Sequence, residues 1–348
     1  MKNRCLFFVC IVLLLSACKP NFSLNAPYID VPVVYGILNY QDSIQYVKIY
    51  KGFQPDENGT AFMDAQNPDS IYYHNDIIVV LQEYDGDEKT QRPDIPLYIT
   101  HDFPRDSGIF YYKDERIIYY TAESLDKSKT YNIKITNKFN GNITQGRTKI
   151  VGDFAIKNIS TSLSMVSAKS SIDFSPAENA SGYEIFVNFL YFEVDIKTNE
   201  VVKIGKVVKN ISQRIDEELV INDYGELKKT FSTTYYDDIS AQLKPNSNVV
   251  RYIGTPGSNG TCIEVVAWAA GESMVNFLIS SKPTSNFIQI NNIYTNLTSS
   301  EGKAFGFISS RIKCPNRYFA TDTKSQDSLC FGSKTHHLSF RPWVEYKP

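Results

Sequence analysis

Tyr131-Asn132-Ile133-Lys134-Ile135 places an apolar or aromatic side chain at every second position and a polar one between. Side chains of an extended chain point alternately to its two faces, so this period of two predicts a strand with one buried face. The same texture repeats outward from it. Towards the N-terminus, residues 31–38 and 44–50 are joined by the turn-forming Asn39-Tyr40-Gln41-Asp42, and residues 77–84 lead into Asp85-Gly86-Asp87. Residues 109–112 and 116–120 precede the quoted stretch, and 144–150, 183–194, 201–211, 227–233, 249–253 and 262–267 follow it. Amphipathic helical periods do not intervene, which points to antiparallel sheets stacked as sandwiches and away from a parallel α/β sheet. One short helix is expected over 269–280, with Met274, Phe277 and Leu278 on one side and Pro283 beyond its end.

The strand pattern restarts near Val151-Gly152-Asp153, and Ile172-Asp173-Phe174-Ser175-Pro176 followed by Gly182-Tyr183-Glu184-Ile185 resembles the opening of a fibronectin type III-like module. The expected architecture is mostly β: two antiparallel sandwich domains of the immunoglobulin or fibronectin III kind, covering 30–151 and 152–348.

At 348 residues, 42% hydrophobic and only 21% charged, the chain can bury sizeable cores, and disorder is excluded as its dominant state. The 36 basic and 38 acidic residues cancel to a net charge of −2, which supplies no basic field for nucleic acid. Tyr at 23 and Phe at 21, beside four His, is rich in strand formers and poor in catalytic bases.

The N-terminus carries Lys2 and Arg4, an apolar stretch over 5–15, and then Leu15-Ser16-Ala17-Cys18. A positive start, a short apolar run and small residues make a signal peptide over 1–17, too short to remain as a transmembrane span. The final residues match the lipobox of bacterial lipoproteins, in which Cys18 takes a diacylglyceryl thioether and becomes the new N-terminus. Loss of Lys2 and Arg4 moves the mature chain to a net charge of −4, and the polar, proline-bearing residues 18–29 read as a tether. Acyl chains on one cysteine anchor a protein to a leaflet without another membrane element.

Three cysteines remain in the folded part. Cys314 and Cys330 bracket residues 315–329, which read as a polar loop, so a disulfide between them is expected in an oxidising envelope. Cys262 sits in an apolar strand pattern as a buried thiol. No C-x-x-C spacing occurs and no His lies near these cysteines, so no metal or other cofactor is expected.

The common hydrolase and nucleotide-binding signatures are missing, and no enzyme activity is expected. Ser310 and Lys313 form an S-x-x-K spacing without its companion elements. Adjacent His336 and His337 would point to opposite faces of a strand. Asp85, Asp87 and Glu88 read as a solvated hairpin tip, and Gly254-Thr255-Pro256-Gly257 as the start of a connection between strands. Tyrosine is the distinctive feature, paired at Tyr72-Tyr73, Tyr111-Tyr112, Tyr119-Tyr120 and Tyr235-Tyr236. On strands covered on one side, half of these rings would face out, making a candidate binding surface for a glycan or a peptide.

The lipobox, then Val33-Val34-Tyr35-Gly36-Ile37-Leu38, Val47-Lys48-Ile49-Tyr50-Lys51-Gly52-Phe53, Ala61-Phe62-Met63-Asp64, Gly108-Ile109-Phe110-Tyr111-Tyr112, Ile293-Tyr294-Thr295-Asn296 and Gly306-Phe307-Ile308-Ser309-Ser310-Arg311 come in an order that resembles a family of outer-membrane lipoproteins of Bacteroidota. That family is classed as a domain of unknown function. The resemblance spans most of the mature chain and implies a β-rich envelope protein with relatives often encoded beside TonB-dependent receptors. Its motifs are structural: Gly36 and Gly306 suit backbone bends in strands, and Arg311 suits an internal brace for carbonyls or a carboxylate. The acidic cluster that many surface-exported lipoproteins of Bacteroidota carry next to the cysteine is missing, which leaves the periplasmic and cell-surface faces both open. The function expected is an accessory protein of such a receptor in nutrient capture, with an adhesin or fibre component as the alternative and an unrecognised hydrolase third.

Overall fold

A computed structural model describes residues 29–52, 67–102, 116–157, 160–166, 171–211, 213–214, 220–221, 227–230, 235–258, 260–281 and 294–347. The expected signal peptide, Cys18, Tyr111 and Tyr112 lie outside these residues. Strand accounts for 46% and helix for 14%, so the chain is mostly β. In the first half the strands are β1 (Pro32–Leu38), β2 (Gln45–Lys51), β3 (Ile77–Asp85), β4 (Glu88–Lys89), β5 (Ile95–Pro96), β6 (Tyr98–Thr100), β7 (Ile118–Thr121), β8 (Thr130–Asn137) and β9 (Ile143–Lys149). They continue as β10 (Ser162–Leu163), β11 (Ser171–Phe174), β12 (Gly182–Asp195), β13 (Val201–Asn210), β14 (Gln213–Arg214), β15 (Val220–Ile221), β16 (Leu227–Thr230), β17 (Val249–Ile253), β18 (Thr261–Ala270), β19 (Leu297–Ser299), β20 (Phe305–Lys313), β21 (Arg317–Thr321) and β22 (Phe340–Arg341). Four helices are described: α1 (Pro68–Ile71), α2 (Tyr235–Gln242), α3 (Glu272–Ser280) and α4 (Thr323–Phe331).

Alternation explains the strands with one buried face. In β9 the residues of Ile143–Lys149 alternate buried with exposed along most of its length, and in β1 buried with half-buried. β12 has no such alternation: it is buried over most of Gly182–Asp195, because β18 and β17 pair along one edge, β13 and β14 along the other, and side chains cover both faces.

The longest sheet runs β22-β17-β12-β18-β20-β1-β2-β7-β6, and a second runs β19-β9-β8-β3-β4. Val34, Val47, Ile49 and Tyr119 of the first meet Val79, Leu81, Tyr131 and Ile133 of the second in one core. A separate core gathers Ile185, Val187, Phe189 and Val265 with Phe174 of β11, Tyr235 and Ile239 of α2, and Leu329 of α4. β20 belongs to both, with Ile308 in the first core and Ile312 in the second.

Strand pairing therefore crosses residue 152, where the sequence suggests a boundary. β20 lies parallel to β1, and β19 lies antiparallel to β9, so residues 297–313 complete the sheets of the N-terminal half. The parallel β1–β20, β10–β21 and β17–β22 pairs correct the purely antiparallel expectation. Parallel neighbours need a long connection, and here the pairs are separated by large stretches of chain that a local pattern does not reveal. The single expected helix is α3, shortened at its start because β18 extends to Ala270. Phe277 of α3 packs on Tyr35 and Phe307, with ring centroids 5.7 and 4.7 Å away, while Val275 is buried and Leu278 is exposed. Two further helices, α2 and α4, cover the second core, and α4 together with β21 occupies the expected 315–329 loop. No described helix is long and apolar enough to cross a membrane.

A buried carboxylate ties the first core's rim. Glu83 accepts hydrogen bonds from Tyr131 Oη at 2.8 Å, Arg92 at 3.0 Å and Thr90 at 3.1 Å. Burial alone would raise its pKa, but these three donors outweigh it and hold the carboxyl below its ordinary value. A depressed carboxylate contributes stability that is complete above the unfolded value of about 4.3 and is lost as pH falls through the folded value. Glu83→Gln is expected to melt earlier than the parent at pH 7, and the gap should narrow as the pH of the melting scans is lowered from 5 to 3.

Candidate functional site

The tyrosine pairs are placed differently from the expectation. Tyr72 and Tyr73 are 2% and 3% exposed; they follow α1 just ahead of a turn at 74–75, and Tyr73 Oη donates to Asp30. Tyr119 is buried with its hydroxyl 3.0 Å from the His74 carbonyl. Tyr235 and Tyr236 open α2, where neighbours are about 100° apart and both fit one buried side; they donate to the carbonyls of Val187 and Ser325 at 2.9 and 3.0 Å. Burial raises the Tyr235 pKa and pushes Tyr236 up to about 12, so both stay neutral donors. Only Tyr120 among the described members is even half-exposed, beside Tyr98. Tyr73, Tyr119, Tyr235 and Tyr236 are core posts with their hydroxyls hydrogen-bonded, Tyr72 is buried as well, and these five do not form the expected binding surface.

Cys262, Cys314 and Cys330 are all free and buried, which overturns the expected Cys314–Cys330 bridge. Cys314 follows β20 and Cys330 ends up in α4, so regular structure, and not a floppy loop awaiting closure, separates them. Burial pushes Cys262 up to about 12 and Cys330 up to about 11, so neither is a thiolate at neutral pH. Titration of unreduced protein that begins after Cys18 is expected to find three thiols in denaturant and essentially none in the native state; two fewer in denaturant would restore the bridge.

The remaining candidates from the sequence are structural. Ser310 Oγ donates to the Lys149 carbonyl and accepts from the Val151 amide, both at 2.8 Å, and so holds β20 against the end of β9. Arg311 is exposed, its guanidinium 4.8 Å from the Trp268 ring centroid, which replaces the internal brace with a cation–π contact. His336 and His337 lie in a single 3₁₀ turn and not on a strand. No group of three metal-ligating side chains occurs among the described residues. Asp85 and Asp87 sit at the hairpin tip near Lys129 and Arg147, at 2.8 and 3.8 Å.

An open polar cleft of about 610 Å³ lies between the two halves, where Asp87 and Arg147 face the start of α3 at Glu272 and Ser273. Arg147 is already stacked 4.0 Å from the Tyr84 ring centroid, and Ser273 Oγ accepts hydrogen bonds from Asn296 at 3.0 Å and Tyr294 at 3.3 Å. The cleft offers donors and acceptors to a polar solute, and its Ser273 hydroxyl is already engaged by Asn296 and Tyr294.

A stronger candidate is β13. Among the described residues it pairs only with β12, and the Gln242 side chain hydrogen-bonds the amide and carbonyl of Val208 at 3.2 and 2.9 Å, closing that end of the edge. Towards the hairpin, Val202 is 55% and Ile204 63% exposed, with Ile196 and Val201 also exposed. Ile204 stands opposite Phe192, whose ring stacks on Tyr252 with centroids 5.3 Å apart. Trp343 and Tyr346 of the C-terminal segment pack on the same cluster, beside an exposed Val344. Exposed apolar side chains thus accompany a small aromatic cluster, with Lys203 and Lys206 interspersed. The signal in the sequence is the lysine spacing of three at Lys203, Lys206 and Lys209, which puts lysine on both faces of the strand, and among its residues only Val207 is buried. No protein-family model matches the chain, and no curated protein matches it either.

Proposed function

We propose that the chain is a lipid-anchored accessory protein of the bacterial outer membrane that works by contact and not by catalysis, beside a TonB-dependent receptor in nutrient capture. The observation that carries this reading is the exposed apolar run of β13, since a strand whose second edge has no strand partner among the described residues, with Val202 and Ile204 exposed, offers main-chain groups and side chains to a partner together. Such an edge is a hazard in a free protein unless it is covered, and the interspersed lysines moderate it. The lipobox resemblance supplies the anchor, and the polar cleft is a candidate seat for a glycan or peptide cargo.

The sandwich reading, immunoglobulin- or fibronectin III-like, belongs to the same proposal. It is supported by two sheets sharing the first core, and the parallel β1–β20 pair is the feature that departs from it. The same free edge also favours a second reading, self-association as a fibre or adhesin component, because an edge strand can pair with a second copy.

Lipidated protein extracted from its native outer membrane in mild detergent is expected to bring down a stoichiometric TonB-dependent barrel. Val202→Lys combined with Ile204→Lys should lose that barrel while keeping the parent's melting temperature, since both side chains are solvent-facing. Recovery of only further copies of the chain would favour the fibre reading.

A further inference from the structure

The first described residue, Ile29, is exposed, and Asp30 beside it is fastened to the fold by Tyr73 Oη and by Asn137 Nδ2 at 2.8 Å. Asn137 ends β8, and two residues later the β8–β9 turn carries Phe139, 81% exposed and the most exposed of the large hydrophobic side chains described. This turn is built firmly. Asn137 Oδ1 accepts from the Phe139 amide and Asn140 Oδ1 from the Asn142 amide, both at 2.9 Å, while Gly141 takes a positive φ of 74°. A bulky ring is therefore held outward by a defined turn at the point where the tether joins the fold.

We infer that Phe139, with Ile29 beside the tether, dips into the lipid bilayer surface and sets which end of the protein faces the membrane. This rests on the reading of Cys18 as the lipid anchor. From Cys18 to Ile29 the chain spans at most about 40 Å even when fully extended, less than the roughly 50 Å breadth of a compact chain of this length. The end bearing Asp30 and Asn137 is thus the end kept near the leaflet. Among the described residues, one phenylalanine and one isoleucine make far too small a patch for a second copy or another protein, where a stable interface takes about 800 Å² from each partner. A bilayer needs no such area from the patch, because the acyl chains already supply the attachment and an aromatic ring adds to it at the interface. Charge is not the driver: Lys138 is engaged with the Asn75 carbonyl, and Asp30 and Asp76 lie at the same end.

The test uses full-length, lipidated protein in phosphatidylcholine vesicles with plain or brominated acyl chains, comparing Phe139→Trp with Phe331→Trp. Phe331 is 76% exposed but ends α4 in the C-terminal half, and the native Trp268 and Trp343 contribute equally to both variants. The added tryptophan at 139 should lose about half of its emission in brominated vesicles, as expected for a ring roughly 5–10 Å into the interface, while the one at 331 keeps its emission. Equal behaviour of the two variants, with the diacylglyceryl group on Cys18 verified by mass, overturns the contact and leaves the anchor standing. A mass without that group overturns the anchor and the inference together.

Discussion

Gly306→Ala is expected to unfold the seam between the two halves. Gly306 has a φ of 87° and pairs with Val34 across β1–β20, and a Cβ there would stand 2.0 Å from the Val34 carbonyl oxygen. A left-handed conformation costs an L-residue about 1–2 kcal/mol, and the clash with backbone adds to that because a strand cannot shift as a side-chain tip can. A total of at least about 3 kcal/mol is expected, roughly a 6–12 °C fall in melting temperature for a large domain. Gly86→Ala separates the two causes: its φ is 59°, yet nothing lies within 4 Å of the added Cβ. It should cost only about 1 kcal/mol. Equal losses in the two variants would show that backbone conformation, and not the closeness of β1 to β20, governs the site.

Arg251→Ala should be of similar size and for an electrostatic reason. Arg251 is 4% exposed; its Nε donates to Glu193 at 3.0 Å, and its two terminal nitrogens donate to the carbonyls of Leu338 and Lys244, each at 2.9 Å. One planar guanidinium thus answers a buried carboxylate and two backbone carbonyls in three directions, which a lysine ammonium on its flexible stem does not reproduce. Its removal takes the guanidinium partner from the buried Glu193 side chain, a loss of about 3–5 kcal/mol. Chemical denaturation should show that loss for Arg251→Ala, and nearly as much for Arg251→Lys. The double variant Arg251→Met, Glu193→Met should recover most of it, since the uncompensated charge is gone. Limited proteolysis offers a second reading of the same defect: the C-terminal segment, paired to β17 through Arg251 and Phe340, should become the first site of cleavage. If the double variant is no more stable than Arg251→Ala, the hydrogen bonds to the carbonyls and not the charge pair carry the effect.

Both positions lie where distant parts of the chain meet, and that is where reading along the sequence stops. Local periodicity placed β1, β2, β3, β8, β9, β12, β13, β17 and β18 within a few residues, because alternation is a property of neighbouring positions. It also located α3, whose start moved only because β18 continued. Residues 315–329 do not show their structure locally because Arg317–Thr321 is a short strand held between β18 and β10 and Thr323–Phe331 a helix with a weakly marked apolar side. Tyr235-Tyr236 looked like a strand pair and proved to be the buried first turn of α2.

The composition and alternation of this sequence by themselves determined a mostly β chain and the positions of most of its strands, since each strand's burial pattern is written in adjacent residues. Only the tertiary structure decided that β20 returns to β1, that Tyr72, Tyr73, Tyr119, Tyr235 and Tyr236 are buried, that Cys262, Cys314 and Cys330 stay free, and that Phe139 and much of β13 are exposed. Those outcomes depend on which distant segment occupies each neighbouring place. A side chain carries the same local signal whether a helix from a hundred residues away covers it or water does, so its exposure is settled by packing and not by its own sequence.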